Sequence, residues 1–192
     1  MICSGGLVVF PTTSLYGLGA DAANMTAVEQ IFVIKQRPSD KPILVLVPNI
    51  QHLKRMVRRI PKAAERVMEA FWPGNITLVF EADPAVSPVL TGGTGKIGIR
   101  FPVYPVAQLL VHEADRPVTA TSANISGYTG CSKIEDLDAV VADSVDLILN
   151  AGHLKGGTGS TVLDITEDPP VLLREGLITR SRLCSVLPSM KH

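Results

Sequence analysis

Short unbroken aliphatic runs alternating with stretches of helical periodicity constrain this chain more than any other feature. Residues 43–47, I-L-V-L-V, carry no polar side chain, so a strand there must be covered on both faces. Residues 76–81, 118–121, 147–149, 161–165 and 171–173 read as further strands, and residues 7–10 form a first one that stops at Pro11. Val28, Ile31, Phe32 and Lys35 recur at helical spacing, as do Leu53, Met56, Val57 and Ile60. Residues 61–71, a segment opened by Pro105, and residues 178–187 add further helices. The alternation predicts an α/β fold, a twisted mixed sheet with flanking helices. No repeat, linker or low-complexity tract divides the 192 residues, so residues 1–192 are expected to form one domain.

Local signals set expected boundaries. Thr26 with Glu29, and Ser132 with Glu135, have the spacing of capping boxes. Trp72-Pro73-Gly74 breaks the helix before residue 76, with Trp72 read as a core anchor. The hydroxyl- and glycine-rich T-T-S-L-Y-G-L-G after Pro11 reads as a functional loop.

Charge and cysteine usage exclude several classes. Lys plus Arg equals Asp plus Glu at 18 each, so any attraction for nucleic acid has to come from a local patch. Lys54, Arg55, Arg58, Arg59 and Lys62 supply one on an amphipathic helix, either a solvated face or an RNA contact. Cys3, Cys131 and Cys184 are odd in number and lack C-x-x-C spacing, which fits a reducing cytoplasm rather than a disulfide framework or a zinc site. No apolar run approaches the roughly eighteen residues that cross a bilayer, and no leader precedes Gly5, so a soluble, cytoplasmic protein is expected.

The cations cluster with purpose around residues 34–46. Lys35, Arg37 and Lys41 share one short turn stiffened by Pro38 and Pro42, and they repel one another unless an anion joins them. A polyphosphate would satisfy all three, the Arg fork chelating two oxygens and each Lys adding a point charge. The plainer alternative is a helix C-terminus carrying favourable cations. Thr12, Thr13 and Ser14 follow the first strand, Thr121, Ser122, Asn124 and Ser126 the central one, and Ser160 and Thr161 stand near the last. Such loops at strand ends, each beside glycine, converge on one ligand in many α/β folds, although hydroxyls and glycine also make ordinary turns. Together with Lys35, Arg37, Arg100 and Arg174 they describe a shared anion pocket.

Other chemistries lack their residues. T-G-G-T-G-K-I-G-I-R, residues 91–100, is not a Walker loop, because no Lys-Ser or Lys-Thr pair follows its last glycine. His52, His112, His153 and His192 have no paired metal spacing and no G-x-S-x-G elbow is present, so each His is expected at the surface or satisfied in the core. Cations, hydroxyls and backbone amides suit nucleotide activation by positioning and electrostatics.

P-T-T-S-L-Y-G-L at Pro11, K-Q-R at Lys35, W-P-G-N-I-T-L-V at Trp72, G-I-R-F-P at Gly98, T-S-A-N-I-S-G at Thr121, G-S-T-V-L-D at Gly159 and L-R-E-G at Leu173 follow one another in order. In this ordered set the chain resembles the YrdC-type threonylcarbamoyl-adenylate synthases, with the K-x-R and S-x-N signatures matched in full. The resemblance implies a YrdC-like (RibB-like) fold with a concave, positively lined surface. It implies a nucleotidyltransferase that joins L-threonine, bicarbonate or CO2, and ATP into threonylcarbamoyl-adenylate, releasing pyrophosphate. Transfer proteins then carry the threonylcarbamoyl group to tRNA. By position, the resemblance assigns Lys35, Arg37 and Lys41 to ATP phosphates, and Ser122, Asn124 and Arg174 to the nucleotide. Lys35, Arg37, Ser122 and Asn124 form its catalytic signature, and Ser14, Arg100 and Ser160 fall at threonine contacts. Magnesium is expected through the ATP phosphates, without a protein cage.

The chain also departs from the family pattern. Thr13 and Ser14 stand where an acidic residue and threonine are usual, and Asn75 replaces the proline of P-G-P. The length suggests the short form, with an N-terminal helix common in the family missing or trimmed. The competing reading is a non-catalytic RNA-binding module of tRNA or ribosome maturation, which the neutral net charge disfavours. A carbamoyl-transfer domain of the hydrogenase-maturation type shares the fold, but the chain has no room for its accessory modules.

Overall fold

The structure, a computed structural model, describes residues 1–190; His192 lies outside them. Among the described residues nine strands form one mixed sheet: β1 (Val8–Pro11), β2 (Tyr16–Gly19), β3 (Leu44–Leu46), β4 (Ile76–Glu81), β5 (Lys96–Arg100), β6 (Val118–Ser122), β7 (Leu147–Ile148), β8 (Thr161–Asp164) and β9 (Val171–Arg174). Their order across the sheet is β7-β1-β2-β6-β3-β5-β4-β8-β9. The β1–β7, β3–β5 and β4–β8 pairs are parallel and the rest antiparallel, in keeping with the mixed sheet expected from the sequence. Seven α-helices among the described residues flank it: α1 (Met25–Ile34), α2 (Ile50–Met56), α3 (Lys62–Phe71), α4 (Pro88–Thr91), α5 (Pro105–Ala114), α6 (Ala139–Asp143) and α7 (Arg180–Val186).

The two-residue period of the strands divides the sheet into unlike faces. Val45, Ile76, Leu78, Phe80, Ile97, Ile99 and Leu163 turn to one side and join Val28 and Ile31 of α1, Leu53 of α2, Val67 of α3 and Leu183 of α7 in the main core. Each fully buried aliphatic or Phe side chain there contributes about 1.5–3 kcal/mol. On the other face α5 covers only one part of the sheet, packing Ala107 and Val111 against Val8, Phe10, Leu46, Val118 and Ala120. The remainder of that face is left open, and it is the floor of the cavity described below.

Several boundaries differ from the sequence expectation. Asn24, not Thr26, caps α1: its Oδ1 accepts the Ala27 N–H at 3.1 Å, so the helix begins at Met25 and Thr26 already lies inside it. Asp138 likewise caps α6, and Glu135, three residues after Ser132, lies within only a single 3-10 turn, Ile134–Asp136. Helix α2 stops at Met56 because Val57 pairs with Ala82 as an isolated bridge, so Arg58 and Arg59 lie beyond the helix expected to carry them. The T-T-S-L-Y-G-L-G stretch is a loop only in its first half. Thr12 donates its N–H and its hydroxyl to Leu15 O, closing a hairpin from which β2 returns along β1. Gly19 makes that return possible, since a Cβ there would stand 2.1 Å from the Thr119 carbonyl oxygen. Trp72 packs partly buried against the core, its indole donating to Ile76 O at 3.0 Å. Among the described residues no helix is long and apolar enough to cross a membrane.

Candidate functional site

Strand register builds the site. The β4, β5, β8 and β9 pairings bring Arg174, Val162, Thr77 and Arg100 onto one line across the open face, with Val79, Gly98 and Leu44 on the next line. The β2–β6 pair sets Gly17 opposite Ser122, so the T-T-S loop and the S-x-N loop meet at one rim. These residues enclose a cavity of about 590 Å³, lined at its poles by Arg100 with Arg174 and by Arg37 with Ser122.

At the first pole a buried cation stands unpaired. Arg100 is 9% exposed, and its Nε has no hydrogen-bond partner among the described residues. Burial, and then the neighbouring Arg174, push its pKa down to about 10. A desolvated guanidinium without a carboxylate costs several kcal/mol, which an anionic ligand would offset. Arg174 reaches the same spot from the edge strand, donating from Nε and Nη2 to Ser160 O at 3.0 and 2.8 Å. Ser160 Oγ lies 3.0 Å from Thr77 Oγ1. Ser14 is buried and lines the cavity from the T-T-S loop.

The second pole is built around Lys35. Lys35 ends α1 at 1% exposure, and its ammonium donates to Ser122 O and Asn124 O, both at 2.5 Å. Its own carbonyl accepts the Ser126 N–H at 2.7 Å, and Asn124 Nδ2 donates to Ile125 O and Tyr128 O. Burial, followed by the Arg37 charge, lowers the Lys35 pKa to about 8. Arg37 is half-buried with Nη2 on Pro42 O at 2.7 Å and Nε without a partner among the described residues, and burial lowers its pKa as well.

The structure therefore separates the residues singled out in the sequence. Ser14, Arg37, Arg100, Ser122, Ser160 and Arg174 line the cavity. Lys35 lies beneath the S-x-N loop, the loop's own Asn124 is buried on the same inner side, neither lines the cavity, and Lys41 is exposed outside it. Thr77 on the floor and Lys96 at the side also line the cavity, although no motif in the sequence singles either of them out as a site residue. Period-two patterning in β4 would have placed Thr77 beside Val79, but an isolated threonine in an aliphatic strand carries no other signal.

Lys96 Nζ lies 3.0 Å from Asp164 Oδ2 and 2.8 Å from Glu167 Oε1. Hydrogen bonds to Glu167 and then Asp164 raise its pKa. Burial pushes the Asp164 carboxyl up, yet hydrogen bonds from Thr166 and Lys96 outweigh it and hold it below the usual value. No three His, Cys, Asp or Glu side chains stand together as a metal site among the described residues. His52 is bound to Asn49 by Nδ1, and His112 and His153 are exposed.

The family model Sua5_yciO_yrdC, described as telomere recombination, matches residues 1–176. The threonylcarbamoyl-AMP synthase of Pyrococcus abyssi (strain GE5 / Orsay) is 39% identical over 175 residues, 91% of this chain and 52% of that protein. The synthase of Bacillus subtilis (strain 168) is 41% identical over 186 residues, 94% of this chain and 53% of that one. The chain thus spans about half the length of these curated relatives. Among solved structures, P. abyssi Sua5 complexed with L-threonine superposes with a TM-score of 0.91 at 37% identity, covering 98% of this chain and 55% of that one. E. coli YciO superposes with a TM-score of 0.82 at 31% identity, covering 92% and 85%.

Proposed function

The chain belongs to the Sua5_yciO_yrdC family, and from that premise we propose that it is an L-threonylcarbamoyladenylate synthase, forming threonylcarbamoyl-AMP and pyrophosphate from L-threonine, bicarbonate or CO2, and ATP. The observation that carries this reading is the unpaired, buried guanidinium of Arg100 in the same cavity as Arg37 and Ser122. Two separated cationic poles in one pocket suit an amino acid carboxylate at one end and a polyphosphate at the other. A relative whose solved structure holds L-threonine supports the first assignment.

Ser14, Arg100 and Ser160 hold threonine in this reading. Arg37 and Ser122 contact the nucleotide from their pole, with Lys41 reaching the phosphates from outside, and Arg174, at the Arg100 pole, meets the nucleotide where it adjoins the threonine. Lys35 and Asn124 serve the nucleotide from below, by shaping the loop that carries Ser122. The threonine amine adds to CO2 with loss of a proton, or to bicarbonate with loss of water, to form a carbamate, whose oxygen attacks the α-phosphorus while the bond to pyrophosphate breaks. The cations offset charge that builds on the phosphate oxygens and leaving group.

Magnesium fits as a companion of ATP rather than a resident ion. Asp164, the carboxylate on the cavity wall, is engaged at Oδ1 by Thr166 and at Oδ2 by Lys96. Phosphate oxygens and water would supply the ligands, and the bound ion would draw charge from the phosphates.

The consumers of the adenylate are threonylcarbamoyl-transfer proteins and, through them, tRNA in the cytoplasm. A non-catalytic RNA-binding role is the weaker reading, because the 18 acidic residues balance the 18 basic ones. The deciding experiment incubates the protein with ATP and magnesium, adding threonine and bicarbonate singly and together. Pyrophosphate and adenylate appear only with both; equal release from ATP alone identifies a pyrophosphohydrolase instead.

A further inference from the structure

We propose that Thr77 is a positioning residue that fixes Ser160 as a hydrogen-bond donor to the carboxylate of the bound amino acid, an inference that rests on the reading of this cavity as a threonine site. Thr77 is 3% exposed on the cavity floor, in line with Arg100 and Arg174, and its Oγ1 lies 3.0 Å from Ser160 Oγ. Either hydroxyl can be the donor in that pair, and what surrounds them decides which.

A hydroxyl has one proton and two lone pairs. At Ser160 Oγ the other protein partner is Arg174 Nη2 at 3.4 Å, which can only donate. If Ser160 donated to Thr77, its proton would be spent inside the protein, and the Thr77 proton would have no acceptor among the described residues. If Thr77 donates, Ser160 Oγ accepts from Thr77 and from Arg174, and its own proton is free for the cavity. A carboxylate placed against Ser160 selects the second arrangement, because it accepts and does not donate. The stiff β-branched side chain of Thr77 keeps its methyl against the space at Gly98, where an added Cβ would meet Thr77 Cγ2 at 3.2 Å, and so holds the hydroxyl towards Ser160. Ser160 and Arg100 then bind one carboxylate from two sides, with Thr77 setting the direction of the first.

The test compares Thr77→Val, which keeps the shape and loses the hydroxyl, with Thr77→Ser, which keeps the hydroxyl. Pyrophosphate release is titrated with threonine at saturating ATP and bicarbonate, then with ATP at saturating threonine, and Tm is recorded for each protein. Thr77→Val is expected to raise the threonine KM about tenfold while moving the ATP KM little, the loss of one hydrogen bond at the ligand. Thr77→Ser recovers most of that affinity, and Thr77→Val adds nothing in a Ser160→Ala background. Should Thr77→Val fail to fold, Thr77→Cys, a weak donor of similar size, is expected to shift the threonine KM in the same direction. An unchanged threonine KM, or equal rises in both KM values with a lowered Tm, overturns the assignment and leaves Thr77 as packing. Wild-type release that ignores threonine refutes the functional reading itself, and this proposal with it.

Discussion

The ammonium of Lys35 donates to the backbone carbonyl of Asn124 at 2.5 Å, tying the end of α1 to the loop after β6 across 89 residues of sequence. A second bond of 2.5 Å to Ser122 O completes the knot. Lysine has three protons, so two are committed to backbone before any ligand arrives. Lys35 and Arg37, neighbours in one K-x-R signature, therefore do different work: Arg37 faces the cavity, and Lys35 shapes its wall.

Their substitutions are expected to separate accordingly. Arg37→Ala weakens nucleotide use by roughly 1.5–3 kcal/mol, the value of a charge-assisted contact, with little change in stability. Lys35→Ala produces a comparable kinetic loss together with a lowered Tm, because the Ser122 and Asn124 carbonyls lose their partner, at about 1–3 kcal/mol. Kinetics and calorimetry on both variants check this, and wild-type kinetics in both would return the stretch to a plain helix cap.

The buried ammonium also predicts a pH dependence of stability. Lys35 has its folded pKa lowered to about 8, whereas an unfolded lysine titrates near about 10.4. Between those values the unfolded chain holds a proton that the folded protein has released, so unfolding free energy rises with pH through that window. The destabilisation is fully present below about pH 8, reaches roughly 3 kcal/mol, and is relieved towards pH 10. A neutral amine keeps two N–H groups, so both carbonyls stay satisfied. Urea unfolding of wild type and Lys35→Met from pH 7 to 10 should show this extra slope in wild type alone; parallel curves contradict it.

Gly98 gives a prediction about the floor. It stands between the lines carrying Arg100 and Lys96, at a φ any residue adopts, and an added Cβ would meet within 4 Å only Thr77 Cγ2. Gly98→Val should still fold, with a lowered Tm because its Cβ presses on the Thr77 methyl at 3.2 Å, while its isopropyl group fills the cavity. Threonine and ATP titrations by calorimetry are expected to lose at least about tenfold in affinity, that is about 1.4 kcal/mol. Undiminished binding of both ligands would place them off this floor.

The sequence revealed strand positions because uninterrupted aliphatic runs have few other uses, and β4 agrees with its reading to the residue. It concealed β2, because Gly17 and Gly19 look like loop residues and are demanded instead by the close approach of Phe10 and Thr119. Cation identity was legible, whereas orientation was not. Whether Lys35 points into a cavity or under a loop depends on Ser122 and Asn124, which only the fold brings near. Thr77 was invisible for the same reason, since its partner Ser160 is 83 residues away.

Arg100 yields the sharpest test of how the two substrates are placed. Its guanidinium is nearly enclosed, its pKa is lowered to about 10 by burial and then by Arg174, and its Nε has no partner among the described residues. The group stays charged at neutral pH and presents a planar fork, which matches a carboxylate in both charge and shape. Arg100→Lys keeps the charge and loses the fork, so the threonine requirement should rise far more than the ATP requirement. Serine, lacking one methyl, should be used less well than threonine by about 1–3 kcal/mol in a fitted pocket. Steady-state titration of each substrate against a saturating partner separates the two effects. If Arg100→Lys impairs ATP use while threonine dependence stays at the wild-type value, the poles are reversed, and the amino acid lies towards Arg37 and Ser122.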